Sequence, residues 1–497
     1  MTSIQLNKQQ SRATKALKRF ISYNTADETY TADEAIVKHN FILLGPAGSG
    51  KTTVITNVFH DSKLSIAFCA FTNKATQVLK QISTKHNVNF QAEFSTIHKM
   101  LALDIRYLDD EHEIAFDFNV EKISHLLNYD VIIFDECSTI SKELYEYIMK
   151  TWKYIEHLGK RLKFIFLGDF WQLPPVGEHS SLVFDLVKKH HAPIKKLTQV
   201  MRANNDLILS INTRLNKWID IFRHKEKKPL DRFISRFPYN LVKRDTNIYI
   251  HGHYDFISEY MSAWKKTSDI VILSYSRNNC KKINHSVQDI LDEQAERPIP
   301  EKRTVLKFHI GDRCLVNKPV TIPELVRKND TVSQKLSSVI TTLYNGEIYD
   351  IVHTTDVSVI TNLNKLSYMK SSFPAQLLTV RNINDTEGSE LQIIHIDKQV
   401  INDAKKLIRF RENRRKYIEL LTMFYTYVPQ LDYGYCMSIY KSQGSEWGTV
   451  LVNLNSVLWS ILGDKRKNIP FKQKKMLFRI CYTAMTRASK SLTLYYY

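Results

Sequence analysis

A chain of 497 residues exceeds what one hydrophobic core organises, so several domains are expected. A hydrophobic fraction of 43% with a charged fraction of 24% is that of a soluble globular protein, and it excludes a disordered or membrane-embedded one. The formal net charge of +19 points to a polyanionic partner such as nucleic acid, although many basic chains only carry solvated lysines.

In chain order, residues 1–10 are polar and lack the apolar core of a signal peptide, and no later run is apolar for long enough to cross a bilayer. Short β-rich apolar runs follow at residues 41–44, 65–70, 131–134 and 164–167, each ahead of a turn or an amphipathic stretch. That βαβ rhythm predicts a buried parallel sheet. A second set at 270–273, 450–452 and 492–496 predicts another sheet of the same kind, hence two α/β domains. Residues 301–428 read differently, with short strands, a turn signal at Tyr344-Asn345-Gly346 and a basic helical stretch at 409–416, and are expected to form an inserted domain. Cys69, Cys137, Cys280, Cys314, Cys436 and Cys481 are scattered and make no CxxC pair. Neither a zinc ribbon nor a disulfide framework is suggested, and a reducing, intracellular compartment fits. The abundance of Lys, Asn, Ile and Tyr beside 14 Gly is compatible with AT-rich coding and a viral or phage source.

The strongest local signal is Gly45-Pro-Ala-Gly48-Ser-Gly50-Lys51-Thr52, a G-x-x-x-x-G-K-[ST] pattern between an apolar strand and a helix-forming stretch. Glycines let backbone N–H groups close around phosphate oxygens, and the following helix presents its positive end to the same anion. ATP is therefore the expected ligand, with Lys51 on its β- and γ-phosphates and the Thr52 hydroxyl on Mg²⁺. The apolar run 131–134 leads directly into Asp135 and Glu136, at the strand edge where open α/β sheets bind ligands. Asp135 would hold Mg²⁺ and Glu136 would orient and deprotonate the attacking water. Farther on, Gly168-Asp169-Phe-Trp-Gln172-Leu-Pro-Pro-Val176 fixes a turn, in which Gln172 is either a γ-phosphate sensor or a surface residue.

These segments resemble the superfamily 1 helicases of the 5'-to-3' branch (superfamily 1B), closest in layout to the phage Dda type and more distantly to RecD and Pif-type enzymes. The resemblance spans almost the whole chain. It implies that Gln10, in Leu6-Asn7-Lys8-Gln9-Gln10, reads adenine, that Gly45, Gly48, Gly50, Thr53, Gly444 and Glu446 line the nucleotide, and that Arg202 and Arg487 reach the γ-phosphate. Arg202 closes Leu197-Thr-Gln-Val-Met-Arg202 and Arg487 lies in Tyr482-Thr-Ala-Met-Thr486-Arg487-Ala488. It places the tracked strand on Thr72, Asn73, Lys74, Thr96 and His98 in the first domain and on Lys441 and Ser442 in the second. Tyr440 stands where the family commonly has His, which leaves its role open.

The resemblance further implies two RecA-like P-loop motor domains with ATP hydrolysed at their interface. The first takes residues 1–95 and 123–194, the second 195–300 and 429–497. A small β-hairpin pin would occupy 96–122, and an SH3-like β-barrel with a helical part 301–428. The pattern at 105–118 reads as a hairpin by itself, with Phe116 either stacking at the fork or packing on a neighbour. A guanidinium brought to a phosphoryl transition state supplies roughly a thousandfold or more in rate. The expected activity is thus ATP-dependent, 5'-to-3' DNA unwinding in replication, repair or recombination. Expected partners are single-stranded and forked or tailed duplex DNA and a single-strand-binding or replication protein, with no membrane and a monomeric chain. A strand-stimulated ATPase that remodels complexes without unwinding, or one acting on RNA, is the alternative.

Overall fold

The computed structural model describes residues 6–23, 31–60, 62–70, 92–107, 114–117, 120–199, 248–251, 253–299, 306–318, 320–343, 345–360, 372–383, 388–409, 427–462 and 471–495. The chain forms two compact units. One comprises Met1–Asp245, Gly444–Glu446 and Lys467–Lys490, the other Thr246–Gln443, Trp447–Arg466 and Ser491–Tyr497.

The first unit is built on β1 (Asn40–Leu44), β2 (Ile66–Ala70), β3 (Ala92–Thr96), β6 (Val131–Phe134), β7 (Lys163–Gly168) and β8 (Ile194–Lys196), with β4 (Asp104–Tyr107) and β5 (Ile114–Asp117) as a separate pair. Its sheet runs β3-β2-β6-β7-β1-β8, with every recorded pairing parallel. Strand side chains alternate between faces, and both faces are apolar. Ile42, Leu44, Ile132, Phe134, Phe164 and Phe166 pack on one side with Ile148 and Trp152 of the helix Lys142–His157. Phe41, Leu43, Ile133, Ile165 and Leu167 pack on the other with Leu17 of the helix Lys8–Ser22 and Val54 and Val58 of the helix Lys51–Phe59. Burial on both faces is why these strands read as continuous apolar runs rather than alternating ones. β4 and β5 pair antiparallel with Ile105 opposite Phe116.

The second unit holds β9 (Ile248–His251), β10 (Ile270–Ser274), β18 (Cys436–Ser438), β19 (Trp447–Asn453) and, from Ser491 onward, β20 (Ala488–Tyr495), in the order β18-β10-β19-β20-β9. A larger, mixed sheet contains β11 (Arg313–Val316), β12 (Val320–Lys328), β13 (Thr331–Leu343), β14 (Ile348–Ile360), β15 (Ser372–Asn382), β16 (Glu390–His395) and β17 (Leu431–Tyr433). Its strands are longer than the sequence suggested, two of them 13 residues. The middle of β14, His353-Thr-Thr-Asp356, is polar and half or fully exposed, and a bulge between Ile351 and His353 breaks its alternation. The Asn345-Gly346 turn between β13 and β14 is present, with Gly346 at φ 88°. Arg313, fully buried, pairs with Asp350 at 2.8 Å and donates to the Ile270 carbonyl at 3.1 Å, tying the two sheets of this unit together. Of the basic helical stretch, residues up to 409 fall in the helix Lys398–Arg409, while 410–416 lie outside the described residues. All six cysteines are buried free thiols. Among the described residues no helix is long and apolar enough to cross a membrane.

Candidate functional site: an ATP-binding centre

The phosphate loop leaves β1 at Leu44 and enters the helix Lys51–Phe59 through Gly50, which caps it at φ 82°. The Gly45 N–H donates to the Gly168 carbonyl at 3.0 Å, so the loop is fastened to the end of the neighbouring strand. A Cβ on Gly50, which sits at φ 82°, would collide with the Gln10 amide, so that position favours glycine, and one on Gly45 would press on the Ser49 hydroxyl and on Leu197. Gln10 itself is buried. Its Nε2 donates to the Ser49 carbonyl at 3.1 Å and its Oε1 accepts the Asn7 N–H at 3.0 Å in a capping box, so its amide braces the phosphate loop. Lys51 Nζ lies over the loop, donating to the carbonyls of Gly45 at 2.6 Å and Pro46 at 3.2 Å. Thr52 and Thr53 follow in the first turn, both half-buried.

Asp135 and Glu136 emerge from β6, one strand over from β7. Burial and the Glu136 carboxylate push the Asp135 carboxyl up to about 6, against the pull of the Lys51 ammonium and of the Glu136 N–H, which donates to Asp135 Oδ1 at 2.8 Å. Glu136 occupies the left-handed region at φ 53°, rare for a residue with a Cβ, and such strain collects at functional positions. The Thr52 hydroxyl and the Asp135 carboxylate offer the oxygen donors that Mg²⁺ takes, with its remaining coordination left to water and phosphate. A cation there would reverse the upward shift of Asp135.

At the turn after β7, Asp169 is buried, which raises its carboxyl pKa despite the nearby Lys51. Its Oδ1 accepts the Trp171 N–H at 3.0 Å. Gln172 is 2% exposed and its Oε1 has no hydrogen-bond partner among the described residues, so it is no surface turn residue. A buried, unpaired amide oxygen is costly and marks a place where a water or ligand is expected. The same turn is gripped by the helix Phe471–Met485. Thr483 Oγ1 accepts the Leu173 N–H at 3.1 Å, and Arg479 donates to the carbonyls of Phe170 and His179, both at 2.8 Å, with its guanidinium 5.0 Å from the Phe170 ring centre. The Tyr482 hydroxyl donates to Asp169. Arg487, also buried, donates to the Thr483 carbonyl at 3.0 Å, the Ser445 carbonyl at 3.0 Å and the Thr486 hydroxyl at 3.2 Å. Gly444 and Glu446 flank Ser445 and belong to the same unit.

A family model described as an AAA domain matches residues 29–178, which include the phosphate loop, Asp135, Glu136 and Gln172. An uncharacterised protein of Acanthamoeba polyphaga mimivirus is 25% identical over 98% of both chains. The ATP-dependent DNA helicase dda of Enterobacteria phage T4 is 24% identical over 57% of each. The relatives thus include a DNA helicase, to which the chain is similar. A solved structure of Pif1 helicase from Bacteroides with ADP-AlF3 and ssDNA aligns with 99% of this chain and 92% of its own at 16% identity, with a TM-score of 0.47.

The strand-contact candidates divide sharply. Thr96 caps the helix Ile97–Met100, its hydroxyl accepting the Lys99 N–H at 3.2 Å. His98 is half-buried, and burial lowers its pKa, so it carries a neutral imidazole at pH 7. Lys441 Nζ donates to Asn317, and burial lowers its pKa to about 8. Ser442 is fully buried and its hydroxyl donates to the Ile439 carbonyl at 2.7 Å, a local backbone tie. Tyr440 is half-buried, 6.4 Å from Tyr275 ring to ring, and burial pushes its phenol up to about 12. Thr72, Asn73, Lys74 and Arg202 lie outside the described residues, and Phe116 is placed by its backbone alone. Arg479, Tyr482 and Asn317 were missed as site residues. Tyr482 lay inside a quoted motif, but nothing local marks the other two.

Proposed function

We propose that the chain is an ATP-dependent DNA helicase that moves 5'-to-3' along single-stranded DNA and separates duplexes, using ATP with Mg²⁺. The observation that supports this most is the assembly, in one unit, of the phosphate loop, the Asp135–Glu136 pair, the turn carrying Gln172 and the helix leading to Arg487. Lys51 and the loop N–H groups would hold the phosphates, Glu136 would take the proton of the attacking water, and Gln172 would orient that water. Gln10, Gly45, Gly48, Gly50, Thr53, Gly444 and Glu446 would line the nucleotide, and Arg202 and Arg487 would neutralise charge on the transferring group. DNA as substrate and the polarity are carried over from the superfamily 1B relationship, with a phage DNA helicase among the relatives. We further propose that residues 1–95 and 123–194 form the first motor domain and 195–300 with 429–497 the second. On the same reading 96–122 is a pin and 301–428 an SH3-like barrel with a helical part, in a monomer working inside the cell.

The β4–β5 pair supports a wedge role for Phe116. Phe116→Ala is expected to lower unwinding at least tenfold while strand-stimulated ATP hydrolysis stays within about twofold, since losing one base-stacking contact of roughly 1–3 kcal/mol affects strand separation and not the phosphates. A gel-based unwinding assay beside phosphate release reads both. On the strand path, Lys441 loses its charge as pH rises through about 8. Affinity for oligo-dT at fixed salt is therefore expected to fall between pH 7 and 9 in the wild type and to stay flatter in Lys441→Arg, whose guanidinium remains protonated. A flat wild-type profile would assign Lys441 to internal support of Asn317.

The function itself is tested on matched duplexes bearing 5' or 3' single-stranded tails, in DNA and RNA versions. Unwinding of the 5'-tailed DNA alone is the expected result. Strand-stimulated ATP turnover with no unwinding of any substrate would instead indicate a remodelling ATPase.

A further inference from the structure

The segment that carries Gln172 is fixed at both ends by one side chain. Arg479 is 2% exposed and spreads the two terminal nitrogens of its guanidinium between them: Nη2 donates to the Phe170 carbonyl and Nη1 to the His179 carbonyl, each at 2.8 Å. The guanidinium also lies 5.0 Å from the centre of the Phe170 ring, and Lys475 Nζ, one turn earlier on the helix Phe471–Met485, lies at the same distance from it. Burial lowers the Arg479 pKa to about 10, which still leaves it charged at pH 7, so both donations are charge-assisted. Between the two anchors the backbone around Gln172 is pinned as well. The Gln172 N–H donates to the Asp169 carbonyl at 3.2 Å, the Trp171 N–H to Asp169 Oδ1 at 3.0 Å and the Leu173 N–H to Thr483 Oγ1 at 3.1 Å. Lys475, Arg479, Thr483 and Arg487 are spaced four residues apart, so they follow one side of the helix and its end. What this stripe presents is Gln172, whose buried Oε1 has no hydrogen-bond partner among the described residues.

We infer that Arg479 is a positioning residue of the ATP reaction, which clamps the two ends of the segment from Phe170 to His179 and so holds the Gln172 amide in place for the γ-phosphate and its attacking water. Its terminal nitrogens are committed to the two carbonyls, so it acts through Gln172 and not on the phosphates. Misplacing a reacting group by roughly 1 Å costs on the order of a hundredfold in rate. Nucleotide affinity, in contrast, rests on the phosphate loop and Lys51, which the clamp does not touch. Loosening the clamp therefore slows turnover and spares binding, and it does so only while Gln172 is there to be misplaced.

The test is Arg479→Lys, which keeps the charge and the apolar stem but replaces the planar fork by a point donor. Expected are a kcat for oligo-dT-stimulated hydrolysis about tenfold lower or more and a Kd for a fluorescent ADP within about twofold of the wild type. The deciding measurement is the cycle with Gln172→Ala. Groups that act as one unit are not additive, so adding Arg479→Lys to Gln172→Ala is expected to lower kcat by less than about twofold further. Losses that multiply in the double variant overturn the inference and leave Arg479 a structural tie. A wild-type kcat in Arg479→Lys, or ADP binding weakened as much as turnover, overturns it too. Should thermal melting show that Arg479→Lys does not fold, Phe170→Leu, which removes the ring beside the guanidinium and keeps both carbonyls, enters the same cycle with an expected loss of about threefold or more and the same overturning results. This role of Arg479 rests on the ATP-driven reading of the site and on Gln172 acting in it. Wild-type turnover in Gln172→Ala alone would sink that reading, whereas multiplied losses beside an impaired Gln172→Ala sink the Arg479 clamp and leave the reading standing.

Discussion

Replacing Arg487 by alanine is expected to cut strand-stimulated ATP turnover about a thousandfold or more while ATP still binds, measured as steady-state phosphate release beside equilibrium binding of a fluorescent nucleotide. The magnitude follows from what a guanidinium does for a phosphoryl transition state, where negative charge spreads over equatorial oxygens and needs a pre-aimed cation. Here the guanidinium is held in a plane by donations to Thr483, Ser445 and Thr486. Burial of the fork strengthens its field. Arg487→Lys is the instructive companion, because it retains the charge and loses the fork. If planarity matters, it resembles the alanine variant in rate while binding nucleotide normally. An alanine variant with wild-type strand-stimulated turnover would remove Arg487 from the reaction and leave it as a tie between the helix end and Ser445.

Glu136→Gln should leave nucleotide affinity within a few fold and reduce turnover by about 10²–10⁴, the usual span for loss of a general base. The substitution is nearly isosteric, so the left-handed backbone at φ 53° and the acceptance of Glu136 N–H by Asp135 persist. It also removes the negative neighbour that raises the Asp135 carboxyl, so any change in binding should be towards tighter retention of the Mg²⁺ nucleotide. Single-turnover hydrolysis with pre-bound ATP separates the chemical step from binding. A variant hydrolysing at the wild-type rate in that assay would show that Glu136 is not the base.

Much of the nucleotide centre was legible because its chemistry is local. Gly45 to Thr52 is one unbroken segment whose glycines answer to backbone geometry, and Asp135-Glu136 follows an apolar strand with nothing between. What lay hidden depends on partners distant in sequence. Tyr482 and Asp169 are 313 residues apart, and Arg479 and His179 are 300 apart, so neither pairing leaves a spacing to read. Gln10 shows a subtler limit. The resemblance of its motif implies that it reads adenine, whereas its bonds in the structure go to Asn7 three residues earlier and Ser49 in the loop. Ser442 was singled out for a strand, but its hydroxyl turns inward to Ile439 because the turn after β18 places it in the core. In the fold, buried parallel strands announced themselves as apolar runs. The long strands β13 to β15 did not, since exposed Thr, Ser and Asp positions imitate loop composition.

The burial of all six cysteines has a practical corollary. Alkylating reagents and maleimide dyes react with the thiolate, which the native interior shields. A single cysteine engineered onto the surface would therefore be the sole fast-labelling position on an otherwise wild-type chain, ready for fluorescence reporters of movement along DNA. The native six would serve as an internal clock, each becoming modifiable only when the region around it opens.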